Sequence, residues 1–83
     1  MSKYKVGDVI TPYDEVMVSI KAVIPPLRGY NGRKFIIVNH EGRYSDYEVR
    51  TEDPEGPQIS FWLGEESIKG LANGPIKLYK QLL

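Results

Sequence analysis

The 83-residue chain carries eleven Lys and Arg against eleven Asp and Glu, one histidine and no cysteine. A formal charge of zero argues against a protein whose main task is to neutralise many phosphates. The missing thiols exclude disulfides and cysteine-based zinc sites, which would leave any metal site to carboxylates and His40.

A chain of this length reads as one domain, residues 1–83, burying only about 60–65% of the surface its unfolded form exposes. It opens without a hydrophobic signal segment, and no apolar run approaches the roughly 20 residues of a membrane span. The expectation is a soluble cytoplasmic protein.

In chain order, Tyr4 to Thr11 reads as a first strand with Tyr4, Val6 and Val9 pointing inward and Gly7-Asp8 as a bend or bulge. Pro12 removes a backbone donor, which places this strand at an edge or ends it there. Glu15 to Ile24 alternates Val16, Val18, Ile20 and Ala22 with Met17, Ser19, Lys21 and Val23, predicting a second strand. Pro25-Pro26 closes it. Leu27 to Gly32 reads as a loop.

Lys34 to Arg50 predicts a hairpin around which the rest is organised. Phe35, Ile36, Ile37 and Val38 form an unbroken apolar run suited to a strand covered on both faces. His40, Glu41, Gly42 and Arg43 supply the turn. Ser45, Tyr47 and Val49 then face the core, with Tyr44, Asp46, Glu48 and Arg50 facing water. Thr51 to Pro57 is an acidic, proline-rich turn. In the next strand, Gln58 to Leu63, Ile59, Phe61 and Leu63 point inward and Trp62 points away. Residues 64–71 predict one or two helical turns with Glu65 and Glu66 at the start. Asn73-Gly74-Pro75 stops them, and Ile76 to Tyr79 can form a closing strand.

Short strands with regularly spaced turns predict an all-β fold, a small antiparallel barrel of five to six strands with one short helical turn. The opening Tyr4-Lys5-Val6-Gly7-Asp8-Val9-Ile10 resembles the start of many SH3-like and KOW-type barrels. The segment from Ile59 to Ile68 is similar to their last long strand running into a short helical turn. Together these segments cover about a fifth of the chain, and they imply an SH3-like barrel. Nucleic-acid-binding KOW members typically carry a basic, glycine-containing turn after the first strand, where this chain has Pro12, Tyr13, Asp14 and Glu15. In size and composition the chain also resembles the small accessory proteins that phages encode to block host factors.

For catalysis the sequence offers His40 beside Glu41, and the carboxylate pairs Glu52-Asp53 and Glu65-Glu66, all of which have structural explanations as turn or helix-start residues. No nucleophile elbow, HExxH, P-loop or GxGxxG occurs. The expectation is a non-enzyme without cofactor or metal.

Binding is better served, because Tyr, Trp and Arg concentrate binding energy. The segment Arg28-Gly29-Tyr30-Asn31-Gly32-Arg33-Lys34 contains no acid and combines backbone freedom, two guanidiniums and an exposed ring, the parts needed to hold a phosphate and stack on a base. Tyr44 and Trp62 join it as candidate ligand-binding residues, alongside Arg28, Tyr30, Asn31, Arg33 and Lys34. Residues 41–55 are by contrast acidic. The first reading is a module capturing a small anionic, nucleotide-like ligand, built as a homo-oligomer because so small a domain has little room for a pocket of its own. The alternatives are a protein-binding adaptor or inhibitor, and then a nucleic-acid-binding barrel.

Overall fold

Phe35 to Thr51 supplies the two best-paired strands of a five-stranded antiparallel sheet. The structure, a computed structural model, describes residues 3–41, 46–53 and 56–72. Its elements are β1 (Val9–Pro12), α1 (Asp14–Val23), a 3-10 turn at Pro25–Gly29, β2 (Phe35–Glu41), β3 (Asp46–Thr51), β4 (Ser60–Gly64), a second 3-10 turn at Glu65–Ser67, and β5 (Ile68–Leu71). The strand order is β4-β3-β2-β1-β5, with every neighbouring pair antiparallel.

The predicted second strand is a helix. Val16, Ile20 and Ala22 satisfy a strand period, but Val16, Met17, Ile20 and Ile24 lie on one helical stripe, and these four pack on the core. Asp14 and Glu15 sit in the first turn and Lys21 in the last, matching the helix dipole at both ends. Ile24 donates its N–H to the Ile20 carbonyl at 2.8 Å and then turns extended, as the following proline requires. Pro25 and Pro26 begin the first 3-10 turn, which buries Leu27.

The expected closed barrel is corrected in the same way. Among the described residues β4 and β5 share no ladder, and they end the strand order on opposite sides. They are nevertheless joined by only Glu65–Ser67. In a flat sheet these edges would lie about 19 Å apart, four spacings of roughly 4.8 Å. The four Cα steps from Gly64 to Ile68 reach at most about 15 Å. The sheet is therefore open but curled.

Its inner face carries Ile10, Phe35, Ile37, Tyr47, Val49, Leu63 and Ile68, and Met17, Leu27 and Tyr30 join the same core cluster. The central apolar run is not covered on both faces: Phe35 and Ile37 are buried, whereas Ile36 and Val38 are half-exposed. A bulge between Ile37 and Asn39 resets the alternation, so His40 pairs with Tyr47 inside β2 rather than in a turn. The link between β2 and β3, with Ser45 and Tyr44, lies outside the described residues, as does the predicted strand at 76–79.

At the N-terminus, the segment 5–8 forms a tight turn before β1. Lys5 N–H donates to Asp8 Oδ2 and Asp8 N–H to the Lys5 carbonyl, both at 3.0 Å. Gly7 has φ 99°, a conformation costly for any residue with a Cβ. Val6, expected inward, projects from this turn and is 59% exposed, while Tyr4 is buried as expected. Thr51, read as part of an exposed turn, ends β3 buried. Its hydroxyl donates to the Pro57 carbonyl at 2.5 Å and accepts from Ile59 N–H at 3.2 Å, which satisfies it and fastens β4 to β3. The last predicted helical turn is shorter than expected, because Ile68–Leu71 pairs with β1 as a strand.

The burial pattern separates two adjacent positions. Ile37→Asp puts an unpaired carboxylate in the core at a cost of several kcal/mol, against a total stability of about 5–10. It is expected to abolish the cooperative thermal unfolding seen by circular dichroism. Ile36→Asp is expected to retain that transition at a lowered melting temperature.

Candidate functional site

The segment 28–34 is built around one buried ring. Tyr30 is 2% exposed, edge-on to Phe35 with centroids 5.5 Å apart, and its hydroxyl donates to the Lys34 carbonyl at 2.7 Å. Its N–H donates to the Leu27 carbonyl at 3.0 Å, so the chain leaves the 3-10 turn and wraps the tyrosine. A Cβ at Gly32 would lie 2.5 Å from the Tyr30 hydroxyl oxygen, which is why a glycine stands there. Burial, aided by the charges of Asp53 and Glu52, holds the phenol above the ordinary tyrosine range. The ring expected to stack on a base is thus a core side chain.

Around it the remaining candidates separate. Arg28 lies exposed on the first 3-10 turn, and Lys34 is exposed while its carbonyl accepts from Tyr30 and from Glu52 N–H at 3.1 Å. Trp62 lies on the outward face of β4, 49% exposed and in register with Glu48. Tyr44 lies outside the described residues. Asn31 and Arg33 alone come together, in a cleft of about 290 Å³ completed by Asp14, Met17, Val18 and Lys21. Two of its lining residues are bonded to each other: an Arg33 guanidinium N–H donates to the Asp14 carboxylate, with both side chains exposed.

Reading 15–24 as a strand hid the helical half of this cleft. The signal was present: Asp14, Val18 and Lys21 are spaced i, i+4, i+7 and share one helical face. Val18 is 71% exposed and Val23 77%, and with Ala22 they leave the solvent side of α1 unusually apolar.

A second constellation lies at the opposite end of the sheet. Glu65 Oε1 accepts from the Tyr47 hydroxyl at 2.6 Å and from Lys3 N–H at 3.0 Å, and Tyr47 Oη accepts from Tyr4 N–H at 3.3 Å. The Tyr4 ring meets Tyr47 edge-on at 5.8 Å, and His40 stacks on the Tyr47 ring at 4.6 Å. The Tyr47 hydroxyl, followed by the Lys3 N–H, lowers the Glu65 pKa. Burial and then the Glu65 carboxylate raise that of Tyr47. Glu65 therefore fastens the N-terminal segment and β3 to the turn that joins the two edges of the sheet.

No protein-family model, no curated protein and no solved structure matches the chain. Among the described residues no helix is long and apolar enough to cross a membrane.

Two measurements follow from these contacts. Tyr30→Ala removes a fully packed ring and is expected to cost about 3–5 kcal/mol in denaturant titrations, whereas Tyr30→Phe, which loses one hydrogen bond, should cost about 0.5–1.5. Arg28→Ala on the exposed turn should leave stability within about 0.5 kcal/mol. The Glu65 carboxylate has a folded pKa below its unfolded one. Its contribution is therefore present above the ordinary glutamate value of about 4.3 and is lost as pH falls through the lower folded value. Melting temperatures of the wild type should drop across that acid window, and Glu65→Gln should melt lower at neutral pH with a flatter acid response.

Proposed function

We propose that the chain is a non-catalytic protein-binding module on an SH3-like scaffold, using the cleft between α1 and residues 31–33 to seat a side chain of its partner. The scaffold reading is supported by the 3-10 turn that follows β4, the feature that the resemblance of residues 59–68 implies. The binding reading is carried by one observation: the cleft mixes the apolar Met17 and Val18 with charges of both signs, Asp14, Lys21 and Arg33. An apolar patch rimmed by mixed charge suits a protein surface, where rim charges select the partner and the apolar centre supplies affinity.

The nucleotide reading loses its stacking ring to the core, and one of its two guanidiniums already bonds Asp14. A multiply charged phosphate placed there would have to displace that carboxylate or lie against it.

The test uses affinity capture by the wild type, by Val18→Arg, and by Glu52→Ala as a control away from the cleft. A partner protein held by the wild type and by Glu52→Ala should be lost with Val18→Arg, with affinity falling by about 1.5–3 kcal/mol once the pair is purified. Gel filtration with light scattering identifies the case in which that partner is a second copy. A thermal-shift panel of mono-, di- and cyclic nucleotides and short DNA and RNA should leave the melting temperature unchanged. A nucleotide shift that disappears in Arg33→Ala would overturn the reading in favour of anion capture.

A further inference from the structure

The outward side of α1 is ordered by charge. At about 100° per residue, Val18 lies at its centre, Asp14 and Lys21 fall on the flank toward residues 31–33, and Glu15 and Ala22 fall on the other. Asp14, Glu15, Val18, Ser19 and Ala22 are exposed and Lys21 is half-exposed. Along the helix axis Asp14 stands about 6 Å before Val18 and Lys21 about 4.5 Å after it. The acid leads, the base trails, and an aliphatic side chain stands between them. Ser19 and Ala22 beside it are small enough for a second helix to approach closely. Ala72, after β5, donates its N–H to the Val9 carbonyl at 2.9 Å and so lies beside the start of β1, whereas α1 follows the end of that strand.

We infer that α1 packs antiparallel against the same helix of a second copy, about a two-fold axis beside Val18; this names the partner of the cleft and rests on the reading of that cleft as protein-binding. Such an axis keeps each flank on its own side and reverses the order along the helix. Val18 then meets the partner subunit's Val18. Lys21 comes within about 1.5 Å, measured along the helix, of the height of the partner subunit's Asp14, and by symmetry the pair forms twice. The Asp14 carboxylate accepts from Arg33 of its own chain and has a second oxygen to accept from that lysine. On the other flank Glu15 lies over the partner subunit's Ala22, with no like charge opposite. A parallel pairing would instead set acid against acid and base against base, with the two helix dipoles aligned. A formal charge of zero leaves two copies without long-range repulsion.

The chain has no cysteine, so Val18→Cys supplies a single reporter per copy. Analytical ultracentrifugation of the full chain at about 100 µM should give a dimer. Mild oxidation of Val18→Cys should convert it to a covalent dimer on non-reducing gels, because the axis brings the two thiols together. Val23→Cys, equally exposed but about 140° round the helix, should not cross-link. Lys21→Glu sets an acid against the partner subunit's Asp14 in both pairs and should raise the dimer dissociation constant about tenfold or more, while Glu52→Ala should leave it unchanged. A monomer at that concentration, a dimer that fails to cross-link through residue 18 or does so equally through residue 23, or an unchanged dissociation constant in Lys21→Glu would each overturn the inference. Affinity capture separates this failure from that of the module reading: a monomeric chain that holds a different protein, and loses it with Val18→Arg, keeps the module and overturns the second copy.

Discussion

The chain must pass from one edge of its sheet to the other within Glu65–Ser67, and most of the fold follows from that distance. A flat sheet cannot be bridged in so few residues, so the strands curl and the inner face becomes concave. Concavity concentrates side chains: Phe35, Ile37, Tyr47, Val49 and Leu63 converge into one core instead of lining an extended plane. The same bridge is held in place from two directions. Ser67 accepts the N–H of Tyr13 at 3.2 Å, where β1 passes into α1, and Glu65 holds Tyr47 and Lys3. Strand pairing alone leaves the sheet open; these side-chain and loop hydrogen bonds fix how far it curls.

Polar satisfaction in so small a core falls largely to tyrosines and one threonine. Tyr47 is fully buried and Tyr30 nearly so, yet each hydroxyl has an acceptor, the Glu65 carboxylate and the Lys34 carbonyl. Thr51 does the same for the turn at residue 57. Each of these groups supplies apolar area through its body and tethers an irregular segment through its tip, a useful economy where few residues are fully buried. Among the described residues no buried side-chain polar atom lacks a partner.

The hairpin was legible because Tyr47 and Val49 alternate cleanly with Glu48 and Arg50, and β4 because Ile59, Phe61 and Leu63 do the same. The helix was not. Val16, Ile20 and Ile24 fit both periods, and valine-rich composition tilts the reading toward strand; buried Met17 fits only the helical one. β5 failed for the converse reason: its bulge at Lys69 spaces Ile68 and Leu71 three apart, which imitates a helical stripe. Tyr30 failed because Gly29, Asn31 and Gly32 around it describe the backbone of a loop correctly and say nothing of where the ring goes. Of the candidate site, Asn31 and Arg33 could be read from the loop, but Asp14, Val18 and Lys21 required the helix to be known first.

The placement of the aromatic rings among the described residues bears on the proposed protein-binding role. Tyr4, Tyr30, Phe35 and Tyr47 are committed to the core, which leaves Tyr13 and Trp62 as the exposed rings among the described residues. They do not line the cleft beside α1, whose apolar contribution comes from Met17 and Val18. Base recognition depends on stacking, and stacking needs a ring in the site. On the proposed function, aliphatic side chains beside charges of both signs would meet another polypeptide, with its own apolar side chains and its own mixture of charges. Zero net charge points the same way. It provides no net long-range attraction for a polyanion, so on the proposed function selectivity would arise at contact range, from how a few charges such as Asp14, Lys21 and Arg33 are placed around Met17 and Val18.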